Sequence, residues 1–133
     1  MTKKDSKSMY RASALDSYSA VDVETKTTAQ SPHQLITMLF EKACVLLRMS
    51  IEQHKREDTE GFFNSTSHAM QIVIGLRGVL DMDNGGDLAV QLYETYTAIG
   101  ASLAKARTEQ DLVSVEKLYM ALTELREGWE TIS

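Results

Sequence analysis

Residues 31–55 read SPHQLITMLFEKACVLLRMSIEQHK. Ser31 offers a side-chain acceptor just ahead of an apolar run, and Pro32 sits where a first helical residue loses nothing by lacking an N–H. Gln34 follows Ser31 at the capping-box spacing. At about 100° per residue, Leu35, Ile36, Leu39, Phe40, Ala43, Cys44, Leu46, Leu47 and Ile51 fall on one broad arc. The spacing predicts a helix over 32–55 with that arc facing a core. Thr37, Glu41, Arg48 and Glu52 form a solvent ridge, and Lys42 and Gln53 mark a second polar edge. Between those edges Met38, Val45 and Met49 lie on one line. Three readings of that line stand: a neighbouring element such as residues 9–30 covers it, it is a contact surface for a partner helix, or it is ordinary exposed apolar scatter. Methionine suits the second, because its flexible, polarisable chain repacks easily.

Working outward, HKREDTEG (His54–Gly61) reads as a charged connector. A second helix is expected over 60–82, with apolar steps at Phe62, Ala69, Val73, Leu76 and Leu80 and Thr66 filling one step. Asp83-Asn84-Gly85-Gly86 is a turn. Asp87 is expected to cap a third helix over 87–107, with Leu88, Leu92, Tyr96, Ile99, Leu103 and Ala106 on its core stripe. A short link, 108–110, leads to Asp111 and a fourth helix over 111–131. Its stripe is Val115, Leu118, Leu122, Leu125, Trp129 and Ile132. Four helices of about 30 Å on short links describe an all-α, antiparallel up-and-down four-helix bundle. From Leu88 to Ala104 the third helix carries a single charge, Glu94. Beside its core stripe lie Val90, Tyr93, Thr97, Gly100, Ala101 and Ala104. Gly100 makes room there either for another chain or for close packing of the fourth helix.

Upstream of the bundle domain (31–133), residues 1–8 are polar and read as a disordered extension. Residues 9–30 read as a cap arm, too polar for core and too apolar for a tail. Met9, Tyr10, Leu15, Tyr18, Val21 and Val23 are its apolar residues, and Leu15 and Tyr18 could share one face of a short helix.

The chain has 133 residues, 43 % of them hydrophobic and 25 % charged, with a formal net charge of -5. One domain with a buried core is expected. No basic surplus exists to neutralise phosphates, so no nucleic-acid partner is expected. The single cysteine, Cys44, has no disulfide partner within the chain. His33, His54 and His68 are not at metal-ligand spacing. No apolar run approaches the roughly 18–20 residues of a membrane span, and no signal peptide opens the chain. The expectation is a cytoplasmic protein without membrane insertion. Asn84-Gly85-Gly86-Asp87 opens a helix, but Asp81, Asp83 and Asp87 would repel phosphate. No catalytic, metal or cofactor residues and no small-molecule substrate are expected, so the chain does not read as an enzyme.

Specific strings then carry a resemblance. They are Met9-Tyr10-Arg11-Ala12-Ser13, Tyr18, Val21, Val23 and Glu24, and SPHQLITMLF from Ser31 to Phe40. LDMDNGGDLA from Leu80 to Ala89, Tyr96, Leu103 and ELREGW from Glu124 to Trp129 complete the set. Over Met9 to about Ile132 the chain resembles the flagellar secretion chaperone FliS family. The resemblance implies a four-helix bundle with an N-terminal segment that packs as a movable cap. It also implies binding of the C-terminal segment of newly made flagellin in the cytosol. Such binding prevents early polymerisation and keeps the client competent for the flagellar type III export apparatus. The chain departs from the family pattern at Glu41-Lys42, where Asp-Gly is frequent. It departs also at Thr97-Ala98-Ile99, at Ala101-Ser102 where twin arginines are frequent, and at Arg107. A basic tail seen in some members is missing. The partner-binding residues expected are Met38, Val45, Met49, Val90, Tyr93, Thr97 and Ala101, with Tyr10, Leu15 and Tyr18 of the arm. The alternative is a helical regulatory or structural interaction protein with a partner other than flagellin.

Overall fold

The computed structural model describes residues 31–132. The expected extension (1–8) and cap arm (9–30) lie outside them. Four helices follow in chain order: α1 Pro32–Lys55, α2 Thr59–Gly78, α3 Gly86–Glu109 and α4 Leu112–Ile132. The fold is all-α, as the periodicity predicts. α1 packs on α2 and α4, and α3 packs on α2 and, much less extensively, on α4. Cross-links fix the antiparallel sense. His33 at the start of α1 meets Trp129 at the end of α4, and His54 at the end of α1 meets Gln110 just before α4.

Helix ends follow local chemistry. Ser31 is extended, and its Oγ accepts from the Gln34 N–H at 3.1 Å. The connector after α1 shrinks to Arg56, Glu57 and Asp58. Glu57 takes the left-handed conformation (φ 61°), which allows the sharp reversal. Asp58 caps α2 by accepting from the Gly61 N–H at 2.9 Å. α2 ends at Gly78, four residues before the expected Met82. The reason is that Leu80 turns into the core and Asp81 captures the chain: its carboxylate accepts from the Asn84 N–H and side-chain amide, and its carbonyl from the Gly85 N–H. α3 begins at Gly86 rather than behind an Asp87 cap. Asp87 instead lies inside the first turn, where a negative charge complements the helix N-terminus. Asp111, expected as the first residue of the fourth helix, instead caps α4: one oxygen accepts from the Ser114 N–H at 3.2 Å and the other from the Ser114 hydroxyl at 2.7 Å.

The core is a continuous apolar cluster. Ile36, Phe40, Leu47, Phe62, Val73, Leu76, Tyr96, Leu103, Val115 and Leu122 are among its most enclosed large side chains. Two fully buried hydroxyls are satisfied within their own helices. Thr66 Oγ1 donates to the Phe62 carbonyl at 2.7 Å, and Ser50 Oγ to the Leu47 carbonyl at 2.7 Å. Among the described residues one salt bridge is formed, Arg126 to Glu130 at 3.8 Å on the α4 surface. An exposed pair of that kind contributes little, about 0–1 kcal/mol. Apolar burial therefore holds the helices together.

Candidate functional site: an open groove between α3 and α4

Among the described residues, three sides of the bundle are closed by helix packing and the fourth is not. α3 and α4 are joined by the short link at Gln110-Asp111, where Ala106 and Val115 are both buried. Toward the opposite end their facing stripes stand apart. A cleft of about 220 Å³ opens there over Phe40 and Tyr96, walled by Leu88 and Leu92 on α3 and by Leu125, Gly128, Trp129 and Ile132 on α4. A second, shallower hollow of about 460 Å³ continues along the same seam past Thr95, Ala98 and Ile99 against Ala121. Leu125 and Glu124 border both hollows, so the two form one groove. Its floor is apolar, and Glu124 is the charged residue on its rim.

The floor is rigidly built. Phe40 and Tyr96 meet at a ring separation of 6.3 Å with the planes tilted by 58°. Burial pushes the Tyr96 phenol far above the ordinary tyrosine range, so it stays neutral. Trp129 stacks on His33 at 4.6 Å, with 15° between the rings. The two residues also exchange hydrogen bonds. Trp129 Nε1 donates to the His33 carbonyl at 3.2 Å, and His33 Nε2 donates to the Trp129 carbonyl at 3.2 Å. This clasp pins the C-terminal end of α4 to α1, so α4 cannot simply lean over to close the gap. Cys44 lies on the other side of α4, its Sγ 4.0 Å from Thr123 Oγ1, and burial pushes its thiol pKa up.

The residues expected as a partner surface fall into two separate tracks. Met38, Val45 and Met49 are 37 %, 38 % and 45 % exposed on the outward line of α1, as the helical projection requires. Val90, Tyr93, Thr97 and Ala101 are exposed on α3. They lie on its α2 side: Arg77 of α2 donates to Thr97 Oγ1 at 3.0 Å and covers the Tyr93 ring at 5.1 Å. α1 and α3 are diagonal in the bundle, so the two tracks do not converge. Tyr10, Leu15 and Tyr18 lie outside the described residues. Gly100 is buried against α2 rather than α4. A Cβ there would stand 3.1 Å from Ile74 Cγ1, so close helix packing explains the glycine.

The groove walls escaped the sequence reading. Leu88, Leu92, Leu125 and Ile132 sit on the apolar stripes and read as ordinary core. One signal existed: Ala98, Ala121 and Gly128 are small residues on the facing flanks of α3 and α4. Such residues leave a valley wherever the two backbones do not close over it. Periodicity reports which face is apolar, but not whether a neighbouring helix covers all of it.

The fold and the open seam define the class: an all-α helical bundle with an apolar groove, a surface of the kind on which amphipathic helices dock. The chain belongs to the FliS family, whose model, described as flagellar protein FliS, matches residues 14–133. It is 35 % identical over 129 residues to the flagellar secretion chaperone FliS of Salmonella typhimurium, covering 94 % of this chain and 93 % of the relative. It is 30 % identical over 125 residues to the flagellar secretion chaperone FliSB of Pseudomonas aeruginosa, covering 94 % and 99 %. A FliS of Vibrio cholerae is 25 % identical over 119 residues, covering 90 % and 88 %.

Proposed function

We propose that this chain is a cytosolic export chaperone that receives the C-terminal segment of flagellin as short amphipathic helices. In this reading it prevents early polymerisation and presents the client to the flagellar export apparatus. The observation that carries the reading is the open apolar groove between α3 and α4 in a chain of the FliS family. An amphipathic client helix lying there buries its apolar face on Leu92, Leu125 and Trp129 and leaves its polar face in water. Each fully buried leucine-sized side chain contributes about 1.5–3 kcal/mol of driving force, against the ordering cost of a disordered tail. The exposed track on α1 extends the contact if the client wraps around that side of the bundle. Among the described residues no helix is long and apolar enough to cross a membrane, which fits a reading in solution.

Gly128 supplies the test. A Cβ there meets nothing within 4 Å, so Gly128→Phe is compatible with the helix and fills the cleft. Titration calorimetry with a flagellin C-terminal peptide should show affinity reduced by about tenfold or more, the scale of blocking a hot-spot pocket. Helicity should be unchanged. Undiminished affinity in a folded Gly128→Phe protein would remove the groove as the client site.

A further inference from the structure

The opposite flank of α3, where it packs on α2, carries a second surface of different chemistry. Four large apolar side chains stand exposed along that seam: Phe63 at 48 %, Ile74 at 38 %, Val90 at 44 % and Tyr93 at 40 %. Two arginines lie among them. Arg77 covers the Tyr93 ring at 5.1 Å and donates through one NH1 to Thr97 Oγ1. Arg107 covers the Phe63 ring at 4.9 Å and donates through one NH1 to Ser67 Oγ at 3.0 Å. The Nε–H of each is covered and without an acceptor. A guanidinium has five N–H donors and needs anionic acceptors to use them well. Among the described residues neither arginine forms an ion pair. Each is held by one hydrogen bond and by its place over an aromatic ring, so part of its side-chain freedom is already lost before a carboxylate arrives.

Their spacing is defined by the helices. Arg107 bonds to Ser67, ten residues before Arg77 on α2, and Arg77 bonds to Thr97, ten residues before Arg107 on α3. The two guanidiniums therefore stand about 15 Å apart along the seam, at 1.5 Å per helical residue. Between them the surface is apolar and shallow, with Ile74 against buried Gly100 and Ala101 beside it. Three turns of a partner helix span about 11 residues and 16 Å, which matches the separation.

We infer that the α2–α3 seam is a docking surface for an acidic amphipathic helix with two carboxylates about three turns apart, one for Arg77 and one for Arg107, and apolar residues between them over Ile74. The surface lies on the far side of α3 from the groove, so it can be occupied together with a groove-bound client.

The test uses the full chain and a designed 19-residue alanine–glutamine helix with glutamates at positions 4 and 15 and leucines at 8 and 11. A control peptide carries glutamine at both acidic positions, and another carries glutamates seven apart. Fluorescence anisotropy should show the first peptide binding about tenfold more tightly than either control, two pre-positioned surface ion pairs being of that order. The advantage should shrink at high salt and vanish in Arg77→Gln/Arg107→Gln, while Gly128→Phe leaves it intact. Equal binding of all three peptides, or no binding of the first at 1 mM, would overturn the inference. A homodimer that Arg107→Glu dissociates would also overturn it, by assigning the seam to a second copy. The peptide controls leave the protein unaltered, so a folding defect in an arginine variant cannot imitate the result.

Discussion

At the residue scale the decisive side chains are short polar ones at helix ends. Ser31, Asp58 and Asp111 each accept from an N–H three residues on, which stops an orphan donor from opposing the helix. Asp111 also titrates. Its hydrogen bonds with the Ser114 hydroxyl and N–H hold its carboxyl below the usual range. A folded-state pKa below the unfolded one means stability present above the unfolded value of about 3.9. That contribution is lost as the pH falls through the folded value. Asp111→Asn keeps a capping oxygen without the titrating charge. Urea midpoints followed from neutral pH down to about pH 2 should therefore fall less steeply in this variant than in the parent. Parallel pH profiles would show that the cap makes no acid-dependent contribution. Ser31 was legible as a cap because a cap needs only local sequence, and Asp111 was legible as the start of its helix to within one residue. His33 and Trp129 were not, because their stacked pair joins positions that are 96 residues apart.

At the element scale the apolar stripes predicted all four helices, and tertiary contacts adjusted the ends. α1 matches its expected span of 32–55. α2 stops early because Leu80 gains more from the core than from continuing the helix past the Asp81 turn. Gly100 shows the same division. Its presence in a helix signalled a close approach, but the approaching group, Ile74 of α2, is defined only by the assembled pair. Gly100→Ala should be close to neutral, because about 1 kcal/mol of gained helix propensity offsets a contact that a half-exposed Ile74 can relieve. Gly100→Leu should cost about 1–3 kcal/mol by forcing α2 and α3 apart, read as a lowered urea midpoint. An unchanged midpoint for Gly100→Leu would mean the two helices are not held at this separation.

At the scale of the whole molecule, core and surface separate two kinds of substitution. Leu122 is fully buried, and Leu122→Ala should cost about 2–5 kcal/mol of unfolding free energy and lower the melting temperature. Met38→Glu/Met49→Glu changes exposed positions. It should move stability by about 0.5 kcal/mol per site or less, while weakening flagellin-tail binding if the α1 track touches the client. Loss of helicity in that double variant, seen by circular dichroism, would show that the two methionines are structural. The sequence by itself determined the four helices of the described residues, the apolar face of each, the antiparallel order and the family. Each of these follows from local periodicity, short links or the quoted strings. Only the tertiary structure decided that α3 and α4 leave a groove between them, that the α1 and α3 tracks face different directions, and that Arg77 and Arg107 lie on aromatic rings along one seam. The physical reason is that a stripe records the apolar face of a helix, whereas exposure depends on how closely the neighbouring helices approach. That distance is set jointly by the whole set of contacts, including the His33–Trp129 clasp at one end of α4 and the Asp111 turn at the other.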